Sequence, residues 1–130
     1  MSIAALNALV LTLTEEKSAM EFQRMLIDNR RTVLSSYRSD IQTDRNVMYT
    51  NYLNLLKDQD EDDKTSVDAF NTEAFMSDFT AAEARLDAID KQLQMERTNL
   101  DTKIEAVTTS LENVQKQLNK NEESEFKGIQ

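Results

Sequence analysis

A chain of 130 residues has the length of a single domain, and its composition excludes several kinds of chemistry. It contains no cysteine, which removes disulfides and thiolate sites, and no histidine, the commonest general base. Its formal charge of −9, from 15 basic and 24 acidic residues, disfavours binding to a phosphate backbone. We therefore expect no nucleic-acid partner, cofactor, metal or small-molecule substrate, and we interpret the chain as not being an enzyme.

Glycine and proline are scarce. The sequence has one glycine, Gly128, and no proline, although sheets and tight turns depend on both residues. The apolar fraction of 39% suits helices that bury a single stripe of side chains. These features predict an all-α protein, in which two long helices form an antiparallel coiled-coil hairpin that assembles into a larger helical bundle.

The first half of the chain carries a seven-residue apolar repeat. If Ile3 takes position a of a heptad labelled a to g, all eight d positions are apolar. This pattern predicts a helix over residues 3–56. A bend near Ser35–Ser39 is the alternative to one continuous helix, because Ser39 and Gln42 match a helix-capping motif. The d positions are Leu6, Leu13, Met20, Ile27, Leu34, Ile41, Met48 and Leu55.

Position a of the same repeat is basic five times in succession. A basic residue at this position can set the register, because its methylene stem covers the apolar seam while its head group reaches a carboxylate. We expect such a register-setting seam here, and the alternative is a basic stripe that binds an anionic partner. The five residues are Lys17, Arg24, Arg31, Arg38 and Arg45.

A second apolar stripe lies on the same predicted helix. Phe22, Leu26, Val33 and Tyr37 are spaced by four, seven and four residues, roughly 110° around the helix from the d positions. One partner helix cannot cover both stripes. We therefore predict that these four residues form an interface with a partner.

The segment of residues 57–66 has no apolar residue and is predicted to be the turn between the helices. Asp58, Asp60 and Asp62 alternate as in a calcium-binding loop. The glycine and glutamate that this loop requires at its sixth and twelfth positions are replaced by Asp63 and Ala69. A solvated acidic turn is therefore favoured over a weak divalent-cation site.

The second helix is predicted over residues 67–119, so that the hairpin domain covers residues 1–119. Its early and late apolar stripes are out of register at Glu96–Arg97, which predicts a local interruption of the heptad repeat known as a stutter. Residues 120–130 are polar and are expected to fray. The early stripe runs from Phe70 to Leu93, and the late stripe runs from Leu100 to Leu118.

A turn centred on residues 61 and 62 also predicts which residues oppose each other. Ile41 should meet Ala82 and Leu34 should meet Ile89, and these apolar pairs carry the most weight. Acidic residues recur every four or five positions on the second helix, so ion pairs are weaker support for a register. The predicted pairs are Arg45 with Asp78, Arg38 with Glu83, Arg31 with Asp90 and Lys17 with Glu105.

The compartment is not indicated by the sequence. The apolar run from Ile3 to Leu13 is shorter than the ~20 residues that span a bilayer, and no positive charge precedes it as in a cleaved signal. The cytoplasm and a signal-independent export route both stay open. Two functional hypotheses follow: a structural protein that assembles with itself, or an acidic adaptor or chaperone that binds another helical protein through the second stripe.

Overall fold

The protein folds as two helices that pack against each other in a helical hairpin, as the computed structural model shows. The structure describes the backbone of residues 1–57 and 61–129, with the side chains of this part except residues 56, 61–73, 75 and 129. Helix α1 spans Ile3–Lys57 and helix α2 spans Glu61–Ile129. The described part of the chain contains no strand. The predicted all-α hairpin is therefore confirmed.

Helix α1 begins at Ile3 because Ser2 caps it. The Ser2 hydroxyl accepts a hydrogen bond from the Ala5 amide at 3.1 Å, and the Ser2 carbonyl accepts one from the Leu6 amide at 3.0 Å. The helix then continues without interruption through Ser35–Ser39. The predicted continuous helix is therefore confirmed, and the alternative of a bend at that position is not observed.

Helix α2 is longer than predicted at both ends. It begins at Glu61, inside the predicted turn, and it ends at Ile129, beyond the predicted end at residue 119. Acidic residues favour the first turn of a helix, and no glycine or proline interrupts the polar tail before Gly128. The tail that was expected to fray is therefore helical, and Asn121 donates a hydrogen bond to the Met1 carbonyl at 3.0 Å.

The acidic turn, for which a weak cation site was the disfavoured alternative, falls mostly where the structure gives no description. Asp58 and Asp60 lie outside the described residues, and the side chain of Asp62 is not described. The preference for a solvated turn over a weak cation site therefore stays a prediction.

Burial along α1 follows the predicted heptad. Every a position from Ile3 to Tyr52 is at least half-buried, as is every d position from Leu6 to Ile41. Leu6 is completely buried, and Ile27 is nearly so. The last two d positions, Met48 and Leu55, are exposed. The predicted seam therefore holds over most of the helix and ends before its C-terminal turns.

Burial along α2 follows an uninterrupted alternation of three and four residues from Phe79 to Asn121. Arg97 lies in this seam between Leu93 and Leu100, where the sequence analysis found no apolar residue. The predicted stutter at Glu96–Arg97 is therefore wrong. The polar side chain of Arg97 occupies the seam position there, so the seven-residue repeat continues without a shift. The full seam comprises Phe79, Glu83, Leu86, Asp90, Leu93, Arg97, Leu100, Ile104, Val107, Leu111, Val114, Leu118 and Asn121.

The chain divides into two compact units, each of which combines part of α1 with part of α2. Unit 1 contains residues 1–28 and 94–130, and unit 2 contains residues 29–93. Unit 1 buries Leu6, Ile27 and Ile104, and unit 2 buries Leu93. The two units are described separately below.

Leu6 provides a test of the seam in unit 1. Replacing Leu6 with alanine should destabilise the protein by about 2–5 kcal/mol, because the substitution leaves a cavity around a completely buried side chain. Urea unfolding followed by circular dichroism measures the change. Leu11→Ala is the matched control, because Leu11 is 61% exposed on the same helix, and we expect it to change stability by less than about 0.5 kcal/mol. Equal losses in both variants would contradict the burial pattern.

Candidate interaction surfaces

Three arginines of α1 pair with acidic residues of α2 in unit 2. Arg31 Nε lies 2.9 Å from Asp90 Oδ1, and Arg45 Nη1 lies 3.0 Å from Glu83 Oε1. Arg38 pairs with Asp87. All six side chains are partly open to solvent, so each pair contributes about 0–1 kcal/mol to stability.

The observed pairs confirm one predicted contact and correct two others. Arg31 pairs with Asp90 as predicted. Arg38 pairs with Asp87 where Glu83 was predicted, and Arg45 pairs with Glu83 where Asp78 was predicted. Two of the three pairs therefore join residues farther along α2 than the sequence analysis placed them.

The apolar pairs of the sequence-derived register are not decided by burial. Ile89 is 46% exposed and lies beside the α2 seam, whereas Leu34 and Leu86 line the same shallow depression. The predicted contact of Leu34 with Ile89 stays a prediction. Ala82 is half-buried, and its contact with Ile41 stays a prediction.

Unit 1 contains a four-residue ionic network formed by Arg24, Asp28, Arg97 and Asp101. Arg24 Nη1 lies 3.0 Å from Asp101 Oδ1. Arg97 binds Asp28 with two nitrogens, at 2.6 Å from Oδ1 and 3.4 Å from Oδ2. The remaining Arg97 Nη1 lies 3.1 Å from Asp101 Oδ2, which joins the two pairs into one network without net charge.

The network is reciprocal between the helices. Arg24 and Asp28 are one turn apart on α1, Arg97 and Asp101 are one turn apart on α2, and each arginine reaches the carboxylate of the other helix. A shift of either helix by one turn would separate both pairs. Guanidinium and carboxylate groups match in plane and spacing, so this geometry favours one antiparallel alignment.

Within the network, the hydrogen bond that Arg97 donates to Asp28 raises the pKa of Arg97, and the charges of Asp28 and Asp101 raise it further. Arginine is already protonated at every ordinary pH. The stability that Arg97 contributes through this interaction is therefore fully present below the pKa of Arg97 in the unfolded chain. It is lost only as the pH rises through the higher pKa of Arg97 in the folded protein. Arg97 itself gives the network no pH dependence near neutrality.

The five predicted seam residues are all half-buried at their a positions. Arg24, Arg31, Arg38 and Arg45 each contact a carboxylate of α2, which favours the seam over a free stripe for an anionic partner. The pairing of Lys17 with Glu105 stays a prediction. The sequence analysis missed Asp28, Arg97 and Asp101, although extending the heptad across the polar positions of α2 would have placed Arg97 in the seam.

The predicted partner interface is exposed in each unit. In unit 1, Phe22 is 57% exposed and Leu26 is also exposed. In unit 2, Tyr37 is 56% exposed and Val33 is also exposed. Sequence analysis missed Met25, which is exposed in unit 1 three residues after Phe22. Whether these residues bind a partner stays a prediction.

Helix α2 offers less apolar surface where its side chains are described. The large apolar side chains exposed there are Ile89 in unit 2, with Met95 and Phe126 in unit 1. They are isolated along the helix. The outward side of α1 is therefore the principal exposed apolar surface in the part of the chain that the structure describes.

Two further kinds of site are absent from the described residues. No group of three or more acidic side chains there is arranged to hold a metal ion. Neither helix, over the residues described, contains a stretch long and apolar enough to cross a membrane.

Comparison with protein-family models, curated proteins and solved structures finds no match to this chain. The surfaces of the chain itself are therefore the basis for proposing a function.

Arg45 allows the observed register to be tested by charge exchange. Arg45→Glu should destabilise the hairpin by about 1 kcal/mol, because it places two carboxylates side by side at Glu83. Adding Glu83→Arg should restore most of this loss, since it re-forms the pair with its charges reversed. Urea unfolding of the single and double variants measures the effect.

Asp78→Arg is the matched control for this exchange, because Asp78 is the partner that the sequence-derived register assigned to Arg45. It should restore little of the stability lost in Arg45→Glu. Better recovery with Asp78→Arg than with Glu83→Arg would contradict the observed register.

Proposed function

We propose that this chain is a non-enzymatic structural protein that assembles through helix packing. The supporting observation is the exposure of large apolar side chains on α1 in each unit, with Phe22 and Leu26 in unit 1 and Val33 and Tyr37 in unit 2. Exposed apolar patches on soluble proteins commonly mark interfaces. A homo-oligomer, bundle or filament covers these side chains with a further helix.

The proposed assembly uses two different sides of α1. Its a and d positions are directed toward α2, and they are packed as a coiled coil in this proposal. The alternating spacing of three and four residues in the buried positions of both helices supports that arrangement. The exposed apolar residues lie away from this seam and stay available to a second helix, so one chain packs on two sides.

A second candidate is an adaptor or chaperone that uses the same stripe to bind another helical protein. The formal charge of −9 favours this candidate, because mutual repulsion keeps copies of the chain apart until a partner arrives. The two candidates differ in one property. An assembly subunit associates alone, whereas an adaptor stays monomeric without its partner.

Light scattering on a sizing column, over a range of protein concentrations, separates the candidates. We expect the mass to rise with concentration toward a dimer or a larger oligomer. Leu26→Asp should shift association to higher concentration, because burying an unpaired carboxylate in the interface is costly. Its helicity should stay close to that of the unchanged protein, since Leu26 lies outside the seam.

Met95→Asp is the matched control, because Met95 is 69% exposed on α2 in the same unit. It should leave the mass unchanged at every concentration. A monomer at all concentrations would contradict the assembly proposal and favour the adaptor. An oligomer that Leu26→Asp does not weaken would place the interface elsewhere.

A further inference from the structure

The outward side of α1 in unit 1 carries no charge over about two and a half turns. The b, c and f positions from residue 18 to residue 26 are all exposed, and all are small or apolar. Exposed positions of an amphipathic helix are normally polar or charged, and 30% of this chain is charged. We call this surface the outer patch; it comprises Ser18, Ala19, Phe22, Met25 and Leu26.

The corresponding side of α2 in unit 1 has a different character. If Arg97, Ile104 and Leu111 of the α2 seam are taken as a positions, the exposed b, c and f positions after Met95 are mainly hydroxyl, amide or charged residues. Such a surface cannot cover Phe22 and Leu26 of another copy without desolvating polar groups. The positions in question are Thr98, Asn99, Thr102, Glu105, Ala106, Thr109, Glu112, Asn113 and Lys116.

Charge also distinguishes the two helices. From Ile3 to Lys57 the sequence has six acidic and seven basic residues, whereas from Glu61 to Ile129 it has 16 acidic and eight basic residues. Two copies therefore repel each other most strongly when their α2 helices approach. The uncharged outer patch of α1 is a surface through which two copies can meet without placing like charges in contact.

We infer that the outer patch binds the outer patch of a second copy of this chain, so that two α1 helices pack face to face. This inference rests on the proposed function and names its partner. A patch that is apolar and uncharged complements itself, which a two-fold symmetric interface requires. Ser18 and Ala19 leave room beside Phe22 for the side chains of the other copy.

Competing occupants fit the patch less well. A basic protein would be attracted to carboxylates, and the outer patch contains none. The α2 helix of another copy presents polar groups to the apolar side chains. A second α1 buries Phe22, Met25 and Leu26 against like residues. Three side chains per copy make less than a standard interface of about 1,200–2,000 Å², so the dimer is weak and depends on concentration.

Salt gives this dimer a characteristic dependence. Each copy carries −9, and salt screens the repulsion between the copies while leaving apolar contact intact. The dimer therefore strengthens as the salt concentration rises. A contact held by opposite charges, such as α1 of one copy against α2 of another, weakens under the same change.

The test uses spin labels on single cysteines, because the natural chain has none. Gln23→Cys places a label on α1 beside the outer patch but outside it, and Thr102→Cys places one on the outward side of α2 in the same unit. In the dimer, Gln23 labels on the two copies should lie roughly 25 Å apart or closer, and Thr102 labels roughly 30 Å apart or farther, given helix axes ~8–10 Å apart. Sedimentation at low and high salt measures the association constant.

Substitutions in the patch complete the test. Phe22→Ala should weaken the dimer about tenfold, whereas Met95→Ala should change it less than about twofold. Circular dichroism should show the same helicity in both variants. Short Gln23 distances, long Thr102 distances and salt-strengthened association together support the inference.

Two outcomes overturn it in different ways. An oligomer with short Thr102 distances, or one that salt dissociates, overturns the face-to-face contact of α1 helices and leaves the proposed assembly function in place. A monomer at every concentration and salt level overturns both.

Discussion

Arginines and carboxylates meet in the seam that the two helices share, and we propose that these contacts set the alignment of the helices. In unit 1 the network of Arg24, Asp28, Arg97 and Asp101 joins the helices reciprocally, and in unit 2 three further pairs do so singly. Because these side chains are partly exposed, each pair stabilises the fold by about 0–1 kcal/mol. Their larger effect is on specificity, since a register that separates an arginine from its carboxylate loses that pair. Stability comes mainly from buried neighbours such as Leu6, Ile27 and Ile104.

The charged seam bears on which side of α1 the proposed assembly uses. The four arginines at the a positions of α1 are complemented by α2 of the same chain, so a second α1 that entered the seam would bring arginine against arginine. In the proposed assembly, further association therefore uses the other side of the helix, where the described residues include exposed Phe22 and Met25. In this account one helix carries two surfaces with different chemistry. The charged surface packs against α2 of the same chain. We propose that the apolar surface binds another copy of the chain.

Much of this arrangement was predictable from periodicity. The unbroken d positions and the scarcity of glycine and proline predicted the hairpin, and the basic a positions predicted a charged seam. The register was harder, because it was counted from a presumed turn centre, and the partners of Arg38 and Arg45 lie farther along α2 than that count places them. The false stutter at Arg97 arose from following apolar residues alone. A seam that tolerates polar side chains continues through such a position, and only the pairing of Arg97 with Asp28 reveals why.

The most direct test of the account measures the register in unit 1. A spin label at Gln23, next to Arg24, is paired in turn with labels at Glu96, Lys103 and Ser110, which are successive heptad equivalents on α2. Electron paramagnetic resonance distances are measured within one chain, diluted with unlabelled protein. The ionic network predicts the shortest and narrowest distribution for Lys103, two residues after Asp101. A shortest distance to Glu96 or Ser110, or three broad distributions, would contradict the claim that these ion pairs set the alignment.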